Sequence, residues 1–491
     1  MFLSKIINKE IELLKTIENN PKVTGIEFDS KRIKQGMIFA AIEGLNENGI
    51  NFCDQAIEAG ATTILCNKKD AKKIIKKKVN ILVSKNIRLS ISLITRKFYP
   101  NQPKNIVAVT GTNGKTSIAF YLKGVWEEAN IKGASIGTLG VRYQNKYIST
   151  KLTTPDPTNL HKYIDFLKRK KFECVALEAS SHGLKQYRID SLKINRGVFS
   201  NLSRDHLDYH KSLEKYFEAK KRLFIEILDK DGIAIVNNFC KYGKKVENFC
   251  KREKIKVITY GSKESDWVIN NVNFYKSHSK VSISILGKRY SFESKLLAYY
   301  QIENLVCAMV IASSYDIPVR SILKWVQNIK APPGRLEKII FKKNQSYIYI
   351  DYAHTPIALK KSLHELKENL LNKAKLKVLF GCGGNRDQGK RKLMGEFASK
   401  YADEVYITDD NPRYENPKEI RDQILRYCKG AIVVSNREKA IHLAIKKLKK
   451  FDTLLVAGKG HEQYQEVRGK RYFFDDKKVV LEAIKARENV C

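Results

Sequence analysis

The stretch VAVTGTNGKTS, Val107–Ser117, decides how the rest of the chain is read. Its first residues are small and β-branched and predict a short buried strand. The strand runs into a loop with glycine at 111 and 114, and Lys115 and Thr116 then open a helix. Such a loop turns backbone N–H groups toward one point, the helix start adds the positive end of its dipole, and Lys115 adds a point charge. The hydroxyl of Thr116 stands where a phosphate-bound magnesium ion takes an oxygen ligand. The loop is therefore a phosphate cradle, but a shortened one: in the common G-x-x-x-x-G-K form the first glycine would fall on Val109.

Length and composition set the frame around this loop. A chain of 491 residues is too long for one ordinary core, and at roughly 150 residues per domain it predicts about three. The formal charge of +39, from 91 basic and 52 acidic residues, raises nucleic acid as a partner. A basic P-loop ATPase acting on nucleic acid, however, would cluster its cations with aromatic residues. Here lysines are dispersed, as in KKDAKKIIKKK and KKLKK, and reach high abundance together with Ile, Asn and Tyr. This pattern predicts a solvated surface and no nucleic-acid partner. Nine cysteines without C-x-x-C spacing fit a reduced cytosolic setting. The segment MFLSKIINKEIELLK reads as an amphipathic helix broken by charges, not a signal peptide. No apolar run approaches the roughly 20 residues that span a bilayer, so a soluble, cytoplasmic protein without membrane insertion, working as a monomer, is expected.

Punctuation divides the chain into residues 1–101, ending in YPNQPKN; 102–331, which carries the phosphate loop; and 332–491, entered through APPGR. In the last segment YIYIDYAHT, LKVLFGCGG, EVYITDDNPR and TLLVAGKGHEQ each run from a β-rich stretch into a polar or glycine-rich loop. This repetition predicts a mostly parallel sheet with a site along its carboxyl edge. Arg413, in DDNPRYENP, projects from one such loop.

Further chemistry follows the phosphate loop. ALEASSHGLKQYR puts Glu178 at the end of an apolar strand, where a carboxylate suits magnesium. NLSRDHLDYHKSLEKYFEAKKRLF then gathers Asp205, His206, Asp208 and His210. Such a density of histidine and carboxylate also occurs at zinc sites, but no cysteine accompanies it and the phosphate loop calls for magnesium.

Taken with DSKRIKQGMIFAAIEG, PPGRLE, DYAHTP, GCGGNRDQGKRKLMG, DDNPRYE and AGKGHEQYQ, these motifs resemble, in order and over nearly the whole chain, the Mur ligase family. The resemblance implies an α/β protein of three domains: an amino-terminal one for a UDP-sugar, a central P-loop ATPase and a carboxy-terminal Rossmann-like domain for an amino acid. It implies an amide-forming ligase that adds meso-2,6-diaminopimelate to UDP-N-acetylmuramoyl-L-alanyl-D-glutamate for peptidoglycan synthesis, through an acyl phosphate, with ATP as co-substrate and two magnesium ions. By the family pattern Gly111, Thr112, Asn113, Gly114, Lys115, Thr116, Ser117, Asn304, Arg335, Asp351 and His354 hold ATP. Ser30, Thr153, Thr154, Ser180, Gln186 and Arg188 hold the UDP-muramoyl dipeptide. Arg386, Asp410, Asn411, Arg413, Gly458 and Glu462 hold diaminopimelate. Thr116, Glu178, His206 and Lys220 are metal ligands, Lys220 as a carbamylated N6-carboxylysine, and with Lys115 the last three form the catalytic set. The chain departs from the pattern at Lys31, Ala298, Gln301 and Asn385, and in VNNFC. Two enzymatic alternatives remain: a lysine-adding ligase of the same family, and a folylpolyglutamate synthase. The latter shares the phosphate loop but is not expected to carry DDNPRYE with GKGHE.

Overall fold

The computed structural model describes residues 1–17, 20–44, 47–275, 278–370 and 374–489. The first sheet holds β1 (Ile11–Lys15), β2 (Gly25–Glu27), β3 (Met37–Ala40), β4 (Thr63–Cys66) and β5 (Asn80–Ser84) in the order β1-β5-β4-β3-β2. Only β1 runs antiparallel to its neighbour.

The expected amino-terminal helix is corrected here. MFLSKIINKEIELLK forms a short 3-10 turn at Leu3–Lys5 and then β1. Asn8 interrupts any helix by accepting the Glu10 N–H on its side chain at 2.8 Å, while its backbone N–H donates to Ile11 O. The edge of β5 then pairs with Ile11–Lys15. Backbone partners supplied by a distant strand outweigh a weak helical periodicity.

The central sheet comprises β6 (Asn105–Thr110), β7 (Gly133–Gly137), β8 (Gly140–Tyr143), β9 (Lys146–Ile148), β10 (Cys174–Glu178), β11 (Ile194–Phe199), β12 (Leu228–Asn237), β13 (Lys256–Tyr260), β14 (Trp267–Phe274), β15 (Ser279–Ile285) and β16 (Lys288–Ser294). Their order is β16-β15-β14-β13-β12-β11-β6-β10-β7-β8-β9. The chain leaves β10 on one side of β6 and returns as β11 on the other, both parallel to it. The phosphate loop therefore sits where the strand order reverses, the place ligands take in open α/β sheets. Behind it, helix Lys115–Glu128 packs on helix Tyr299–Ser313, which is buried over most of its length, in one core with Trp126, Leu122 and Ile302. A helix apolar all round has no solvent face to present, so the phosphate loop rests on fixed ground.

The third sheet holds β17 (Glu337–Phe341), β18 (Ser346–Asp351), β19 (Leu376–Phe380), β20 (Glu404–Ile407), β21 (Ile432–Val433) and β22 (Thr453–Ala457), ordered β17-β18-β22-β19-β20-β21 and parallel except for β17. A hairpin of β23 (Tyr464–Val467) and β24 (Lys470–Phe473) follows. Among the described residues no helix is long and apolar enough to cross a membrane, and the eight described cysteines are free thiols.

Below the carboxyl edge of the third sheet, Arg437 and Asp476 form a fully buried pair, with Nε and Nη2 each 2.7 Å from a carboxylate oxygen. Arg437 also donates to Ala457 O at 2.9 Å, fixing the end of β22 just before Gly458. Removing one partner strands the other charge, so Arg437→Ala is expected to cost about 3–5 kcal/mol, read as a lowered urea midpoint.

Candidate active site

The phosphate loop is held open by its own chain. Gly114 takes φ +90° immediately before the helix, and a Cβ there would strike the Asn304 side-chain oxygen. Thr112 N–H donates to Asn201 O, Asn113 N–H to Asn201 Oδ1, and Ser200 Oγ to Asn113 O, so the residues that directly follow β11 support the loop. Lys115 donates to Gly111 O and Thr112 O, each at 2.8 Å. Lys220, on helix Leu213–Arg222, reaches Gly111 O at 2.8 Å while its ammonium lies over the Tyr216 ring. Burial and then the neighbouring Lys115 hold the Lys220 amine well below the usual lysine range, and burial also lowers Lys115. An amine so placed is readily available in its neutral, nucleophilic form.

Beside the loop, Glu178 ends β10 buried. Thr116 Oγ1 donates to its Oε2 at 2.9 Å, Thr138 N–H to its Oε1 at 2.8 Å, and Thr138 Oγ1 to Oε2 at 3.1 Å. Ser117 is buried behind Thr116. Hydroxyl and carboxylate oxygens in this arrangement form a donor set that suits a hard divalent cation. Thr153 Oγ1 lies 3.1 Å from Thr138 Oγ1, and Thr154 Oγ1 donates to Glu178 O at 2.7 Å and contacts Ser180 Oγ. Arg188 donates to Thr154 O and to Gln186 Oε1. These residues therefore continue one wall from Glu178. Ser30 belongs to the amino-terminal domain, where its Oγ lies 2.8 Å from Gln55 Oε1.

The Asp205–His210 run divides its labour. His206 takes a left-handed backbone and its N–H donates to Asp205 Oδ1 at 2.9 Å. Although burial pushes the Asp205 carboxyl up, His206, His354 and Lys390 hold it below the ordinary range. His182 packs its ring against His206 and Tyr209, and burial, with the neighbouring His206 and His210, lowers it to about 3. His210 turns to Ser181, and Asp208 faces Arg386.

The carboxy-terminal domain closes the other side. Arg335 crosses the boundary to donate to Thr116 Oγ1 at 3.1 Å, with its guanidinium over the Tyr352 ring. Gln301, one of the departures from the family pattern, is buried, donates to Arg335 O at 3.0 Å and accepts the Leu297 N–H. It therefore holds the chain entering the third domain. Asp351 accepts from Ser362 Oγ at 2.5 Å and from the Leu336 N–H. His354 bonds Tyr352 O at 2.8 Å, and burial lowers it to about 4.

Along the carboxyl edge of the third sheet, Asp410 lies 3.5 Å from a fully buried Lys459, which also donates to Asn411 Oδ1 and Tyr464 O at 2.8 Å each. Asn411 donates to Glu462 Oε2 at 3.0 Å. Burial raises both carboxyls, but Lys459 brings Asp410 below its ordinary value, whereas the Asp410 charge adds to the rise at Glu462. Gly458 has φ +114°, and a Cβ there would come within 2.8 Å of Asp410 Oδ2. Arg413, itself at φ +52°, donates from Nη1 to Gly384 O at 2.8 Å and lies 3.5 Å from Glu466 through Nε. Arg413 and Arg386 converge on Gly383, with Nη1 and Cγ at 2.9 and 3.9 Å from where its Cβ would stand.

Sequence reasoning missed Thr138, Lys459, Tyr352 and Glu466. Lys459 was visible as the cation inside GKGHE, and Tyr352 inside DYAHTP. Glu466 carried no local signal, because only the folding back of β23 brings it to Arg413.

The fold and site define a three-domain α/β enzyme of the nucleotide-using ligase type. Models of the Mur ligase family match in three parts: a "Mur ligase family, catalytic domain" at residues 22–99, a "Mur ligase middle domain" at 109–312 and a "Mur ligase, glutamate ligase domain" at 334–460. The UDP-N-acetylmuramoyl-L-alanyl-D-glutamate--2,6-diaminopimelate ligase of Rickettsia montanensis is 39% identical over 96% of this chain and 98% of its own. A solved structure of a ligase with that name superposes with a TM-score of 0.69 at 30% identity, covering 97% of this chain and 98% of the other. The MurF ligase of Thermotoga maritima in complex with ADP shares the fold, with a TM-score of 0.64 at 18% identity over 95% and 98% of the two chains. The chain belongs to the Mur ligase family.

The Glu178 carboxylate lies so close to Gly137 that a Cβ at that position would overlap it. Gly137→Ala is therefore expected to displace Glu178 and lower ATP-dependent turnover by at least about 10²-fold with far-ultraviolet circular dichroism unchanged.

Proposed function

We propose that the protein adds meso-2,6-diaminopimelate to the D-glutamyl γ-carboxylate of UDP-N-acetylmuramoyl-L-alanyl-D-glutamate, converting ATP to ADP and phosphate. It would act as a cytoplasmic monomer on small molecules, not on nucleic acid, with domains divided at 101/102 and 331/332. The observation that carries this reading is the facing of two sites. A cationic phosphate loop in the central domain meets, through Arg335 on Thr116, a domain whose sheet carries both an arginine and paired carboxylates along its carboxyl edge.

In the first step a γ-carboxylate oxygen of the acceptor attacks the γ-phosphorus of ATP, the new O–P bond replaces the bond to ADP, and ADP leaves. Two anions must approach, and Lys115, Arg335 and the loop N–H groups supply the positive field that permits it. In the second step the diaminopimelate amine attacks the acyl carbon, the C–O bond breaks and phosphate departs, with loss of the amine proton to a base we leave unassigned. Thr116 and Glu178 would hold one magnesium ion, and His206 with Lys220, once carbamylated, would hold a second; magnesium bound there would neutralise phosphate charge. Carbamylation joins the free Lys220 amine to carbon dioxide with release of a proton, and the lowered basicity of this lysine favours it. Thr153, Thr154, Ser180, Gln186 and Arg188 would hold the dipeptide, and Ser30 would lie toward the uridine.

Choice of amino acid falls to Arg413. Diaminopimelate differs from lysine by a carboxylate on its distal amino-bearing carbon, which a guanidinium grips through two parallel hydrogen bonds. Asp410 and Glu462 would meet the distal ammonium. Lysine would bring Arg413 no distal carboxylate, leaving it only Glu466.

Incubation with ATP, magnesium, the UDP-muramoyl dipeptide and either amino acid, followed by mass measurement, is expected to give the diaminopimelate product with ADP and phosphate. A preference for lysine, or formation of AMP, would contradict the assignment. Arg413→Ala is expected to raise the diaminopimelate KM by at least about 10²-fold while leaving the KM for ATP near that of the wild type. Lys220→Ala is expected to lose nearly all activity and regain part of it with added short-chain carboxylate; full activity without rescue would remove Lys220 from the mechanism.

A further inference from the structure

Two loops meet across the boundary between the central and carboxy-terminal domains, and their charges are crossed. Arg204 and Asp208 come from the segment after β11, and Arg386 and Asp387 from the turn between β19 and helix Gly389–Tyr401. Arg204 donates from Nε to Asp387 Oδ2 at 3.0 Å and from Nη2 to Oδ1 at 3.2 Å, a bidentate pair. Arg386 Nη1 lies 3.8 Å from Asp208 Oδ2. A shifted docking that set Arg204 against Arg386, or Asp208 against Asp387, would bring like charges together. The crossed pattern thus favours one register.

Asp387 is a firm post for this contact. Its side chain is only 12% exposed, and Oδ1 also accepts the Gly389 N–H at 2.9 Å, which fixes it at the start of a long helix. The Arg204 guanidinium lies over Gly389, where a Cβ would stand 2.6 Å from Nη2. Between Arg204 and Asp208 lies His206. Next to Arg386, Asn385 takes a left-handed backbone and accepts the Tyr414 N–H at 3.0 Å, joining this turn to the loop of Arg413. The pair therefore fastens the loop of one site to the loop of the other.

We infer that Arg204 and Asp387 are positioning residues for the ligation: their bidentate pair holds the two domains in the register that sets the amino-acid loops over the phosphate loop. With the domains so held, Arg386 can exchange Asp208 for a carboxylate of the incoming diaminopimelate without loss of alignment. This inference rests on the proposed reaction. Neither residue touches a reacting atom. With the Arg204 side chain half exposed, the pair adds little to global stability, so its loss shows in domain register rather than in unfolding.

The test is a cycle of Arg204→Gln, Asp387→Asn and the double variant. Asparagine keeps an oxygen for the Gly389 N–H, so the helix start survives. Each single variant is expected to raise the diaminopimelate KM by about tenfold or more, the size of coupling linked sites show, with the ATP KM held within about twofold. The double variant is expected to be no worse than the worse single, because both changes break the same bidentate pair. Single variants with the wild-type KM, or effects that multiply in the double, overturn the inference. If the wild-type protein forms no amide, the functional reading fails and the latch is judged by small-angle X-ray scattering of substrate-free protein. A larger radius of gyration in each single variant than in the wild type then supports it, and superimposable curves overturn it.

Discussion

One carbonyl oxygen, that of Gly111, accepts hydrogen bonds from two buried ammoniums, Lys115 and Lys220. Everything else in the centre of the molecule accommodates that crowding of positive charge. Two cations can share one acceptor inside a protein only where anions lie nearby or one of the amines sheds its proton. Glu178 and Asp205 supply the nearby anions, and burial depresses both lysines. The same crowding suits the proposed chemistry, in which a carboxylate and a triphosphate must be brought together.

The amino-acid side applies the same logic with the signs redistributed. Lys459, fully buried, stabilises the Asp410 charge, and the Glu462 carboxyl beside it is driven the other way. The edge of the third sheet therefore carries both arginine and carboxylates, a pattern that suits the zwitterionic carbon of the proposed amino acid. The two halves are joined by polar contacts across the domain boundary. Arg335 on Thr116 and Gln301 on the Arg335 carbonyl lie beside the phosphate loop, and Arg204 on Asp387 lies beside the turn that carries Arg386.

Much of this was legible before any coordinates. The phosphate loop, the strand carrying Glu178 and the strand-then-polar-loop rhythm of the third segment are local patterns, because a strand's carboxyl end and a glycine turn are written in adjacent residues. The amino terminus was misread because a weak apolar periodicity over Met1–Lys15 gives no hint that β5 offers an open edge. Glu466 was invisible for a related reason: its meeting with Arg413 depends on the β23–β24 hairpin folding back across the sheet edge. Gln301 looked like a departure of no evident purpose. The structure gives it one, a buried amide linking Leu297 to Arg335, which only the packing of two domains could reveal.

The central claim is that ATP activates the acceptor carboxylate as an acyl phosphate, and isotope transfer tests it most directly. Acceptor dipeptide carrying oxygen-18 in the D-glutamyl γ-carboxylate would be ligated to diaminopimelate with ATP and magnesium, and the released phosphate analysed by mass. The account predicts that each phosphate carries one labelled oxygen, with the other retained in the new amide. Unlabelled phosphate, or label found in AMP, would contradict it.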